Sequence, residues 1–239
     1  MATRRNALLE RFFNALISGD RPGARAVVDE ALEADCPAEQ ILANLYWPTL
    51  QQVSHLHRND QLSELSYHYA TRLLRMLVDQ MQPRLQTREA NGQRVLLTCG
   101  EEESEEMAAQ MASDLLEAAG YTVFFAGGGI ANDELVAQLG EVEADKLVIF
   151  GALPGTVPQT RLLIDRLHEI GVCPKVQIVV GGGVFNRAEG LAEEIGADLW
   201  ASEPSELVEV LETQSDRRMT ADQRTVGRKR RPSEKREAA

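Results

Sequence analysis

The sequence predicts an α/β protein in two parts: an N-terminal four-helix bundle, then a five-stranded parallel, doubly wound domain. Three observations carry that prediction. Residues 5–85 place apolar residues at three- and four-residue spacing throughout, the period of amphipathic helices. From Arg94 onward, short β-rich runs alternate with helical segments, the pattern of strands joined by crossover helices. Between the two regimes lies "QTREANGQ", residues 86–93, polar and carrying an Asn-Gly turn.

The first helix is read in "NALLERFFNALISGD", which stops at Gly19-Asp20. The second, "RPGARAVVDEALEAD", carries Pro22 at a helix-opening position and ends before Pro37. Two longer amphipathic segments follow, "PAEQILANLYWPTLQQVSHLHRND" and "SELSYHYATRLLRMLVDQMQ", separated at Asp60-Gln61. Short connections between four helices imply an antiparallel bundle. The strands are read in "RVLLTC", "YTVFFA", "DKLVIFG", "VQIVVGG" and "ADLWA". Helices are expected over Glu102–Ala119, Asn132–Val142, Val157–Ile170, Arg187–Ile195 and Pro204–Leu211. Five such units make a flavodoxin-like, Rossmann-like sheet, whose ligands sit at the C-terminal ends of the strands. The expected domains are a helical bundle over 1–87, the α/β unit over 93–214, and a basic disordered tail over 215–239.

Composition narrows the function classes. The net charge is −12, yet the segment from Asp216 carries nine basic residues against four acidic ones. An acidic body argues against nucleic-acid binding by the folded domains. The tail is read as solvated, with contact to nucleic acid or to an acidic protein left open. No apolar run approaches the ~20 residues that span a bilayer, so no membrane role is expected. Three widely spaced cysteines, Cys36, Cys99 and Cys173, form no zinc or redox spacing. Reduced thiols in a cytoplasmic protein are the reading.

The loop after the first strand, "CGEEESEEM", sets five glutamates within six residues. A dinucleotide fold would place G-x-G-x-x-G there, and no P-loop is present. A phospho-acceptor aspartate is missing from the end of the third strand, where Phe150-Gly151-Ala152 stands. "AGGGI" follows the second strand and reads as a turn. No nucleophile–base pair suggests an enzyme.

The arrangement resembles the cobalamin-binding proteins of corrinoid methyl transfer and of cobalamin-dependent sensors, over roughly residues 5–212. "VQIVVGGGVFNRAEGLAEEIGADLWASEPSELVEVLE" is the most specific segment, with a strand ending in glycines and a final helix after "GAD-W". "LISGDRPGARAVVDEAL" resembles the opening of the family's helical cap. "LLTCGEEESEEMAAQMASDLLEAAGYTVFFAGGG" resembles the first half of its cofactor domain. The resemblance implies a D/E-x-H-x-x-G motif, whose histidine binds cobalt from below and whose acid orients the ring. Glu101 matches the acid, but Glu103 stands for the histidine and Glu106 for the glycine, with Ser104 between them. A carboxylate about 5 Å from the cofactor's phosphodiester costs on the order of 3 kcal/mol at an effective dielectric near 20. The histidine-on mode is therefore expected to be lost.

The resemblance also implies tail-lining positions at Gly151 and Leu153, where the family's serine is absent, and at Gly181, Gly182 and Gly183. On the cap, His57 falls at the family's tryptophan position and Tyr67-His68 at its Glu-His pair. Either histidine is a candidate upper axial ligand to cobalt, or to iron in a haem. The expected function is a non-enzymatic, cobalamin-binding-like sensory or regulatory protein with a protein partner. A corrinoid carrier in methyl transfer, an interaction module without a cofactor, and a haem- or bilin-binding variant are the alternatives.

Overall fold

The computed structural model describes residues 2–151, 153–171 and 173–220. Ala152 and the part of the basic tail from 221 onward lie outside the described residues. The bundle comprises α1 (Ala2–Ser18), α2 (Arg21–Glu33), α3 (Ala38–Ile41), α4 (Trp47–Arg58) and α5 (Glu64–Met81). Asp20 caps α2 by accepting from the Gly23 N–H at 3.0 Å, and Ser63 caps α5 through the Ser66 N–H at 3.2 Å. The long third helix of the sequence reading is divided: a π-helical turn, Leu42–Tyr46, joins α3 to α4. Pro48 explains it. Proline has no N–H, and its ring crowds the carbonyl four residues back, so widening the turn ahead of it keeps the chain helical.

The α/β unit runs β1 (Arg94–Thr98), α6 (Glu103–Ala118), β2 (Thr122–Gly127), α7 (Asn132–Glu141), β3 (Lys146–Phe150), α8 (Val157–Ile170), β4 (Gln177–Gly181), α9 (Leu191–Ile195), β5 (Leu199–Ala201) and α10 (Pro204–Thr213). All pairings are parallel, in the order β2-β1-β3-β4-β5. This is the doubly wound sheet expected from the sequence. The helix expected over Arg187–Ile195 begins only at Leu191, because Gly190 takes a left-handed conformation (φ 77°) and ends the preceding turn.

Two apolar clusters sandwich the sheet. One packs β3 and β4 against α7, α8 and α9 through Leu147, Ile149, Ile178, Leu139 and Ile164. The other is continuous from the bundle, through α6 and α10, to the opposite face of the sheet. Trp47 of the cap meets Phe150 of β3 at 6.1 Å between ring centroids. The bundle thus shares a core with the sheet and seats α4 and α5 over the first turn of α6.

The residues just after α10 correct the expected tail boundary. The buried Gln177 side chain donates to the carbonyls of Gln214 (2.9 Å) and Arg217 (3.0 Å). The Met219 N–H donates to Asp198 at 2.6 Å. Residues 214–219 therefore strap the N-terminal ends of β4 and β5, because polar side chains there need backbone partners.

Candidate functional site

The C-terminal ends of β1 and β3 open beneath the cap, where the switch in strand order leaves a crevice. A cavity of about 1060 Å³ lies there, walled by α4, α5, the glutamate loop and the starts of α7 and α8. Its volume stands at the upper end of ordinary small-molecule sites. His57, Tyr67, Glu101, Ser104 and Leu153 line it. A second cavity of about 240 Å³ reaches under Trp47 toward Gly151 and Gly183, with Ser104 and Leu153 in both walls.

The five glutamates separate into distinct environments. Glu101 and Glu102 are exposed, while Glu105 is 1 % exposed. Glu105 accepts from the Leu153 N–H (2.7 Å), the Thr156 hydroxyl (3.0 Å) and the Glu102 N–H (3.2 Å). Burial raises its pKa, while the bonds from Leu153 and Thr156 oppose that rise. Those bonds bind the β3–α8 turn to the start of α6. Gly151 (φ 87°) allows the close approach, since a Cβ there would sit 2.8 Å from the Glu105 carbonyl.

The two motif positions are occupied by contacts to the cap. Glu103 accepts from the Thr71 hydroxyl at 2.8 Å and lies 3.8 Å from His68 Nδ1. Glu106 pairs with Arg75 at 3.2 Å. Tyr67 and Ser104 both line the large cavity beside these contacts. Tyr67, Thr71 and Arg75 recur every four residues along one face of α5, so a single helix face meets the loop. Glu103 and Glu106 therefore latch the cap to the sheet domain.

The cap histidines share one carboxylate. His57 Nε2 lies 2.9 Å from Glu64, and His68 Nε2 lies 3.0 Å from its other oxygen. The hydrogen bond from His57 holds Glu64 below the usual carboxylate range. His57 stacks on Tyr67 at 3.9 Å between centroids and 12° between planes. His57 faces the large cavity, and His68 sits between Glu64 and Glu103. Among the described residues, no group of three or more His, Cys, Asp and Glu side chains is arranged to hold a metal ion.

Gly181 and Gly182 are packed by protein. A Cβ on Gly181 would meet the Phe150 ring at 2.5 Å, and one on Gly182 would meet it at 3.2 Å. Phe150, fully buried, takes the room the glycines leave. The residues present do not fit a corrin held from below by imidazole: Glu103 is bonded to Thr71, Glu106 is paired with Arg75, and Phe150 packs against Gly181 and Gly182. The large cavity above them remains roomy. Sequence reasoning missed Glu105, Phe150, Thr71 and Arg75, although the four-residue spacing from Tyr67 was a visible signal for the last two.

Comparison with known proteins accords with this architecture. Residues 8–82 and residues 93–209 each match a family model described as a B12 binding domain. Dimethylamine corrinoid protein 1 of Methanosarcina mazei is 26% identical over 212 residues, covering 86% of this chain and 95% of its own. Dimethylamine corrinoid protein 2 of Methanosarcina acetivorans is 26% identical over 203 residues, covering 84% and 93%. The structure of the Methanosarcina barkeri monomethylamine corrinoid protein superposes with a TM-score of 0.73 at 18% identity, covering 86% of this chain and 97% of that one. The last likeness shows the fold: a helical region followed by a five-stranded parallel sheet. The chain belongs to the B12-binding domain family, in its helical part as in its α/β part.

Proposed function

We propose that this chain is a corrinoid carrier of the methyl-transfer type, a non-enzymatic protein that holds its corrinoid between cap and sheet without a protein imidazole beneath the metal. The observation that carries the reading is the cavity of about 1060 Å³ at the strand ends of a B12-binding domain. Relatives that align along most of the chain are named corrinoid proteins, which favours the carrier over the sensory reading. A carrier needs a protein partner, and the half-exposed Ile130 at the cavity rim offers an apolar contact for one. Three free cysteines are in keeping with a reducing, cytoplasmic setting.

The latch of Glu103 and Glu106 on α5 favours a second reading, an interaction module whose cap stays closed with no cofactor. Titration with hydroxocobalamin, followed in the visible spectrum and by co-elution on gel filtration, separates the two. The carrier reading expects co-elution with the cofactor's own base retained. Free cofactor eluting apart from the protein at every concentration would leave the interaction module.

A further inference from the structure

Arg58 ends α4, and Arg187 follows the short 3₁₀ turn Gly183–Asn186 beyond β4. One belongs to the cap and the other to the sheet domain, yet both line the cavity of about 240 Å³. Among the described residues neither guanidinium is paired with a carboxylate within 4.0 Å. Burial, and then the charge of Arg187, draw the pKa of Arg58 below its usual value. Glu105 is an acidic group that acts on Arg58, but its oxygens already serve Leu153, Thr156 and Glu102.

Ser54 supplies the second observation. It is 8 % exposed, lines both cavities, and its hydroxyl is buried without a hydrogen-bond partner. An unmet hydroxyl in the wall of a cavity that two exposed arginines without a carboxylate partner also line is an arrangement that a multivalent oxyanion would complete. Guanidinium forks match the oxygens of phosphate, and a charge of −1 to −2 offsets the like-charge pair.

We propose that Arg58, Arg187 and Ser54 form a phosphate-binding site bridging the cap and the sheet domain. Two sources share that chemistry. One is the phosphodiester of a corrinoid that keeps its own base, a source that rests on the carrier reading above. The other is a free phosphate ester.

The test compares thermal melting in inorganic phosphate and in chloride at equal ionic strength. Phosphate is expected to raise the melting temperature of the wild type. Arg58→Gln and Arg187→Gln should each weaken that effect at least about tenfold in apparent Kd, the order of one charge-assisted hydrogen bond. In chloride both variants should melt no lower than wild type, since each relieves a like-charge pair, and that melt also verifies their folding. No phosphate effect in the wild type, or the same effect in all three proteins, overturns the proposal. Hydroxocobalamin and dicyanocobinamide, which lacks the phosphodiester, distinguish the sources. Loss of affinity in the arginine variants for the former alone assigns the corrinoid's phosphodiester. An arginine effect on inorganic phosphate alone assigns a free ester. If neither corrinoid binds, the carrier reading fails while the phosphate arm still decides this site.

Discussion

Asp114, on the buried side of α6, shows how a single group sets a pH dependence apart from the site. Burial raises its pKa from 3.8 to about 6, against a hydrogen bond from Gln110 at 2.8 Å that lowers it. Below about pH 4 the group is protonated folded and unfolded, and it has no effect on stability. Between about pH 4 and about pH 6 the unfolded chain releases the proton first, so stability falls as pH rises. Above about pH 6 the cost is complete. Asp114→Asn should therefore raise stability by about 1–3 kcal/mol at pH 7.5 and leave it unchanged at pH 4. Equal melting gains at the two pH values would contradict this. At the same scale, the sequence showed the chemistry of the glutamate loop but not its partners. Glu101, Glu103 and Glu106 could be set against a motif residue by residue. Glu105 could not be told from its neighbours, because its burial depends on Leu153 and Thr156, some fifty positions away.

Helix and strand positions followed from periodicity, and the departures have local causes. The period from Pro37 to Asp60 is helical, but periodicity is blind to the change of hydrogen-bond ladder that Pro48 imposes at Leu42–Tyr46. Gly190 shortened α9 in the same way, through one backbone conformation. The strap after α10 was hidden by its composition: Asp216, Arg217 and Arg218 read as solvated, yet the Arg217 carbonyl accepts from Gln177 and the neighbouring Met219 N–H donates to Asp198. Ending the chain after Thr213 removes both partners of the buried Gln177 amide. Relative to a chain ending at Thr220, it should lose about 1–3 kcal/mol, a drop of several degrees in melting temperature. Coincident melting curves would show that the strap adds nothing to the fold.

At the scale of the molecule, cap and sheet domain meet in three ways. The shared core runs through Trp47 and Phe150, the latch joins Thr71 and Arg75 to Glu103 and Glu106, and the Arg58–Arg187 pair faces across the seam. The family was legible because fold-forming glycines and helix patterns persist. The latch at Glu103 and Glu106 was not, since it is built from contacts between α5 and α6, 31 and 32 residues apart in sequence. The central claim is that a corrinoid occupies the large cavity with no protein nitrogen beneath its metal. Its most direct measurement is the electron paramagnetic resonance spectrum of cob(II)alamin bound to uniformly ¹⁵N-labelled protein. A cofactor keeping its own unlabelled base gives the three-line splitting of ¹⁴N, which is the result predicted here. Collapse to the two-line splitting of ¹⁵N would place a protein nitrogen on cobalt and contradict the account.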